Sequence, residues 1–419
     1  VIKLFKITLF ILLFSTAGQA QQLFPLIPDT FDVTNRFALK LDAEAYYNSS
    51  GISNRFVGAI LKGEYIDSTL KNDISRDLKE SNYIGSEFTT TATYYNFHEN
   101  VFGKPNMGFY VGVANKQYVN ARFNKDAFDL VFYGNKMFEG DTANLAISSV
   151  NQLNFQELNF GLFNKRTFSS VGISLIKGER FTRLNLDKGD LFTADSGFFL
   201  TLDLDGNYEA SDTANIGLEA FNGWGMATNL VFNIPIGNAI NDLGMFSFRL
   251  DNFGFIAWNK NSVSYTKDSS YHYDGFEITS LNDFSGTAFG PDNSIEDTLQ
   301  VSLSTGPVVH MLPMTISIAR IPDFRSKEKV QGIFGVRYRT LSNYKPLFFL
   351  GVNFRANDVF KLSTTFSYGG YGGAKLGLRS EFNLKNSAYF SIASNNALGF
   401  FLKNSGYGMG LNASLIKVF

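Results

Sequence analysis

Three histidines are the side chains best suited to acid–base or metal chemistry here, and their placement argues against both uses. His98, His272 and His310 stand far apart, and none has a second histidine at a ligand spacing such as H-x-x-x-H. Cysteine is absent, which excludes disulfides, thiolate metal sites and cysteine nucleophiles. Asp203-Leu204-Asp205-Gly206-Asn207 begins like a calcium loop, but its glycine comes too early and no glutamate closes it, so it reads as a strand-end turn. Gly369-Gly370-Tyr371-Gly372-Gly373-Ala374-Lys375 lacks the spacing of a phosphate-binding loop and precedes a strand, which makes it a hairpin turn. No G-x-S-x-G elbow occurs, and no histidine has an acidic orienter in the sequence. The expectation is a protein with no catalytic site, no cofactor and no metal.

Charge is the remaining chemistry. Opposite rows of apolar residues lie Glu157, Asp203, Asp205 and Glu219 in the middle of the chain, and Arg249, Arg337, Arg339, Arg355, Lys375 and Arg379 toward its end. If these residues point into a closed ring of strands that follows chain order, acids line one wall of the lumen and bases the other. Such a division suits a polarised passage or a binding site for a polar solute. The competing reading is that the same charges pair across the interior and fill it.

The elements that must position these residues are strands. Apolar residues recur at every second position, as in Phe37, Leu39, Leu41, Ala43, Ala45 and Tyr47, then Leu158, Phe160 and Leu162, Val171, Ile173 and Leu175, and Phe348, Leu350, Val352 and Phe354. Arg55 to Tyr65 and Ile216, Leu218 and Ala220 are read as strands of the same kind. Alternation explains how 44 phenylalanines and 19 tyrosines coexist with near-neutral hydropathy and 18% charged residues. Apolar side chains spread singly along strands can cover a lipid-facing band without long apolar runs. After the first twenty residues no stretch of eighteen apolar residues appears, so a helical membrane protein is excluded and only a closed barrel could span a bilayer. The fold expected is all-β, a single transmembrane antiparallel β-barrel of roughly 14 strands, within about 12–16, with short helical or plug-like insertions.

Residues 1–20 read as a secretory signal, with Lys3 and Lys6 before the apolar run Ile7 to Phe14 and a small-residue end at Ala20. The barrel would then occupy 21–419, with 21–36 as an N-terminal plug segment. Within it, 67–82 carries Leu70, Ile74 and Leu78 at a helical period, 124–150 is irregular, and 266–306 reads as a long polar loop. In the closing segment Met409, Leu411, Ala413 and Leu415 alternate with glycine and polar residues up to Phe419. Met409, Leu411, Leu415 and Phe419 resemble the terminal strand that barrel assembly machinery reads, with Lys417 in an unusual place.

Gly223-Trp224-Gly225-Met226, Asp251-Asn252-Phe253-Gly254-Phe255-Ile256-Ala257-Trp258 and Tyr273-Asp274-Gly275-Phe276 resemble a family of Bacteroidetes outer-membrane barrels of unknown function. The resemblance takes in Gly63-Glu64-Tyr65-Ile66-Asp67 and Tyr133-Gly134-Asn135, and so most of the chain. It departs where Asn252-Phe253-Gly254 replaces Asp-Leu-Gly and where an Asn-Pro-Ala segment near the mature start is absent. It implies a barrel and no catalytic residues. Such barrels are distantly similar to fatty-acid-transporter-type barrels, which implies about fourteen strands and a plug.

The location implied is the bacterial outer membrane, with membrane lipid, the barrel assembly machinery and other outer-membrane proteins as partners. A net charge of −1 argues against nucleic acid as a partner. Two functions fit: a barrel that passes or binds a small solute, a hydrophobic one included, and a non-conducting structural or interaction component of an outer-membrane assembly.

Overall fold

The computed structural model describes residues 37–98, 101–237, 242–273, 304–323, 326–384, 387–402 and 406–419; the expected signal and the 21–36 segment lie outside them. The strands of the wall pair antiparallel with their neighbours, because a chain whose side chains alternate in polarity can bury one face and offer the other to lipid. The walk begins with β1 (Phe37–Ser49), β2 (Asn82–Asn96) and β3 (Met107–Phe123). A short β4 (Asp141–Asn144) precedes β5 (Ser149–Asn164), β6 (Ser170–Thr193) and β7 (Leu200–Ala210). Next come β8 (Gly223–Gly237), β9 (Asp242–Trp258), β10 (Val263–Tyr273), β11 (Ser304–Thr305) and β12 (Val309–Met311). Then follow β13 (Thr315–Ile321), β14 (Val330–Arg339), β15 (Lys345–Arg355), β16 (Phe360–Gly370), β17 (Gly372–Leu384), β18 (Ala388–Ser394) and β19 (Gly408–Val418).

The last strand returns to the first, with Ala38 opposite Val418 and Asn48 opposite Gly408. The circuit β1–β2–β3–β5–β6–β8–β9–β13–β14–β15–β16–β17–β18–β19 is a closed antiparallel barrel of 14 strands. Closure leaves no edge in the circuit, so the wall pairs its backbone polar groups strand to strand, interrupted at register shifts such as that between Thr228 and Leu230. Leu39, Leu41, Val113, Leu158, Ile173, Phe348, Leu350 and Phe366 are exposed on the outer face, while Lys40, Ser174, Arg337, Asn353 and Ser363 are buried on the inner one. No helix among the described residues is long and apolar enough to cross a membrane.

The two ends of the barrel differ. Both chain ends of the circuit lie at one end, where connections are short, as between Asn164 and Ser170 or Arg355 and Phe360. The other end carries the long connections. There β6, 24 residues long, outgrows the wall: Ser170 to Gly178 pair with β8, whereas Thr182 to Thr193 pair with β7, which in turn pairs with β10. This flap stands outside the closed circuit.

Two expectations are overturned by periodicity. Arg55 to Tyr65 is a helix, α1 (Asn54–Lys62), because Phe56, Val57 and Ile60 fall on one helical face and are buried. Ser53 caps its start by accepting from the Phe56 backbone N–H, and Gly63 ends it with φ 66°, a left-handed conformation that suits glycine. Ile216, Leu218 and Ala220 belong to no strand; they lie in the irregular connection between β7 and β8, with Ile216 and Leu218 exposed. A helix, α2 (Ser68–Asp77), covers the segment read with a helical period. The 124–150 segment contains α3 (Lys125–Tyr133) before β4. Phe56, Ile60, Leu70, Ile74 and Phe128 bury one another and take in Tyr47 and Met409 from the wall. Residues 266–273 are strand, and 274–303 lie outside the described residues.

Candidate functional site

The inner face of the barrel is built by the same period of two that makes its outer face. Between Leu39, Leu41 and Ala43, β1 turns Lys40, Asp42 and Glu44 inward. Glu87 on β2, Lys116 on β3, Glu157 on β5, Arg249 and Asp251 on β9, and Arg337 and Arg339 on β14 join them around a cavity of about 300 Å³. Five bases and five acids therefore meet in one chamber, which makes it close to neutral.

Nearly all of this charge is spent on neighbours. Lys40 lies 3.1 Å from Asp42, and Arg249 lies 2.6 Å from Asp251. Lys116 pairs with Glu157, which also accepts from Ser174 and, at 3.1 Å, from Asn229. Lys116 reaches on to Asn252 Oδ1 at 2.7 Å, joining β3 to β9. Asn252 sits at φ 58° where the β8–β9 register slips, and its backbone N–H donates to Asn229 Oδ1 at 2.8 Å.

One pair spans the interior. Arg339 forms an ion pair with Glu87 and donates to the Tyr46 hydroxyl at 2.9 Å; Arg339 and Glu87 are 7% and 4% exposed. The path β2–β3–β5–β6–β8–β9–β13–β14 takes as many steps as the return through β15–β16–β17–β18–β19–β1. The pair thus joins strands on opposite sides of the circuit, which an open, water-filled lumen would keep apart.

Apolar layers lie above and below the chamber. At the short-turn end Phe97, Phe163, Tyr389, Ile416 and Val418 pack together, with Phe97 and Phe163 edge to face at 5.2 Å. At the long-loop end Phe155, Phe181 and Trp258 form a second layer, and Tyr344 and Tyr371 pack edge to face at 5.2 Å. A side chain on Gly85 would run into the Tyr371 ring, so β2 needs glycine where this tyrosine folds in.

Of the residues singled out from sequence, Glu157, Arg249, Arg337 and Arg339 come together in the chamber. Lys375 and Arg379 are buried on the inner face of β17, where Lys375 donates to the Gly369 carbonyl at 2.9 Å and Arg379 pairs with Glu381 at 2.7 Å. Arg355 works at the short-turn end, bonded to the Ser326 carbonyl at 2.6 Å and to Asp358 at 2.9 Å. Three acids are misplaced by the sequence reading. Asp203 and Asp205 lie on β7 in the flap, where Asp203 to Asn207 run as paired strand and not as the strand-end turn expected; Asp203 is 3.7 Å from Lys188, and Glu219 is exposed in the β7–β8 connection. None of them lines the lumen, so no acidic wall faces a basic one; acids and bases interleave.

Lys40, Asp42, Glu44, Glu87, Lys116 and Asp251 were missed. Lys40, Asp42 and Glu44 carry a visible signal, charge at every second position opposite an apolar row. The flap also brings Glu209 to His310, at 3.1 Å, a pairing between residues far apart in sequence. In the closing strand, Leu411, Leu415 and Phe419 stay on the outer face while Met409 packs against the helices. Phe419 stacks on Phe37 at 4.7 Å, and the Lys417 ammonium lies 5.4 Å from the Phe419 ring, which gives that unusual lysine a partner.

A model described as a family of unknown function, DUF5723, matches residues 31–393. The chain belongs to the DUF5723 family. Solved structures similar to this DUF5723 chain are outer-membrane barrels. The toluene transporter TodX of Pseudomonas putida is 9% identical, with 98% of this chain and 92% of that one covered and a TM-score of 0.34. The translocator domain of the autotransporter NalP from Neisseria meningitidis is 6% identical over 92% and 89%, with a TM-score of 0.31. The toluene transporter TbuX of Ralstonia pickettii is 7% identical over 92% and 90%, with a TM-score of 0.26. No curated protein sequence matches the chain.

Proposed function

We propose that this DUF5723 chain is a bacterial outer-membrane barrel that does not conduct at rest and serves as a structural or interaction component of the envelope. The observation that carries the reading is the bridge from Glu87 to Arg339 and on to Tyr46, which ties opposite walls where a diffusion pore keeps water. The interleaved charges and the two aromatic layers support it, since each uses volume that a passage needs. The outer face suits lipid, the closing strand through Phe419 suits recognition by the assembly machinery, and the flap and helices at the long-loop end offer contact surfaces to other envelope proteins.

The chamber of about 300 Å³ supports a second reading, in which a small polar solute lodges among the paired charges and passes only when the Glu87–Arg339 bridge opens. The toluene specificity in the names of TodX and TbuX belongs to those proteins and carries no argument here.

The test is fractionation of the full chain followed by reconstitution of the purified protein in planar bilayers. The expected result is an outer-membrane protein with heat-modifiable gel migration, no steady conductance, and protein partners that remain after mild extraction. Steady conductance would overturn the structural reading in favour of solute passage.

A further inference from the structure

The outer wall of a barrel in lipid is ordinarily an even, convex band, and here it is interrupted. On β2 the outward residues Thr90 and Ala92 are small, while Leu41 on β1 and Val113, Leu158 and Leu175 on β3, β5 and β6 stand proud around them. The hollow between them continues beneath Phe221, which the β7–β8 connection brings down over the wall. Together these residues line a hollow of about 780 Å³ that is open on its outer side.

Register places the hollow at a boundary in polarity. Val113, Leu158 and Leu175 are cross-strand neighbours, and two residues toward the long-loop end the corresponding neighbours are Asn115, Gln156 and Lys177, with Trp224 opposite Lys177. An apolar row thus gives way to a polar row ending in an exposed tryptophan, the arrangement found where a barrel passes from hydrocarbon to the headgroup level. The polar row also fixes the roof: Gln156 Nε2 donates to the Leu218 carbonyl at 3.0 Å, and Lys177 Nζ donates to it at 2.8 Å. This clip holds the connection against the wall while Ile216, Leu218 and Phe221 remain exposed.

We propose that this hollow is a lipid site that holds one acyl chain of a membrane lipid, pressed between the β2 depression and Phe221, with its headgroup at the Asn115–Gln156–Lys177 row. An acyl chain is the occupant because the lining is apolar and the hollow is continuous with the lipid-facing rows. Burying the chain also covers the outer face of Ala92 and Thr90, the low point of the hollow among the described residues. The inference rests on the membrane reading of the barrel given above.

The experiment uses full-length protein extracted in mild detergent, offered palmitoyl-oleoyl-phosphatidylethanolamine as the probe and read by native mass spectrometry. The wild-type protein is expected to retain one probe molecule. Phe221→Ala, which removes the roof and lies in no wall strand, and Leu158→Trp, which fills the hollow, are expected to weaken retention at least about tenfold, a change of about 1.4 kcal/mol. Phe253→Ala, an exposed position away from the hollow, is expected to retain the probe like wild type. Equal retention by all four proteins, or none by wild type, overturns the lipid site. Heat-modifiable migration of each protein separates the two levels: its loss in wild type overturns the membrane reading, whereas a folded barrel without probe overturns the site alone.

Discussion

Replacing Arg339 with alanine should leave the Glu87 carboxylate buried without its partner, and the Tyr46 hydroxyl without its donor. Both members of the pair are less than a tenth exposed, so water cannot replace the lost contact without rearrangement. Breaking a buried pair by removing one partner costs about 3–5 kcal/mol, against a total stability of about 5–15 kcal/mol for an ordinary domain. Arg339→Ala and Glu87→Ala are each expected to lose about 3–5 kcal/mol, whereas the double change Glu87→Leu with Arg339→Met should lie within about 1 kcal/mol of wild type or above it, since it removes both charges and keeps the volume. The assay is urea unfolding of the protein folded into lipid vesicles, followed by fluorescence of the buried Trp258, with linear extrapolation to water. The alanine double mutant completes a cycle whose coupling should exceed about 1 kcal/mol. Single losses below about 1 kcal/mol that add without coupling would refute the reasoning, because they are what a hydrated pair on the wall of an open lumen gives.

Leu350→Arg, at an exposed position midway along β15, should destabilise the folded barrel in vesicles by about 2–4 kcal/mol; a change near zero would mean that this face does not meet hydrocarbon. Phe56→Ala should open the helical cluster at a local cost of about 3–5 kcal/mol, read as faster proteolysis in α1 and α2 while the barrel band stays intact. Unchanged proteolysis would show that the helices do not depend on that packing. Removal of Phe419 should lower the amount of folded protein reaching the membrane without altering the stability of what arrives, because its ring stacks on Phe37 at the rim and seals nothing inside.

The barrel was legible because its cause is local: a period of two is written into each strand, and closure follows from what a bilayer demands of backbone polar groups. The errors are local too. Phe56, Val57, Ile60 and Leu61 fit a helix as well as they fit an interrupted strand, and the capping Ser53 and terminal Gly63 were the signals that decide between them. Ile216, Leu218 and Ala220 alternate, yet Gly217 at φ 111° and Asn215 break the run before it can pair. The interior was legible only in part. That Arg249, Arg337 and Arg339 point inward follows from their parity, but their partners do not, since Glu87 and Arg339 are 252 residues apart in sequence. Asp203 and Asp205 were misassigned for the same kind of reason: β6 leaves the wall halfway along, and only its pairing with β7 shows that those acids belong to the flap.

The central claim is that opposite walls of this barrel meet through its interior, and a sequence without cysteine allows a direct test. Glu87→Cys and Arg339→Cys, introduced together and treated in isolated outer membranes with a thiol cross-linker about as long as a paired glutamate and arginine, should join β2 to β14 and shift the unfolded chain on a gel. The contrary result is failure to cross-link in folded protein whose two cysteines both react with a single-ended reagent, which would place the strands apart across an open lumen.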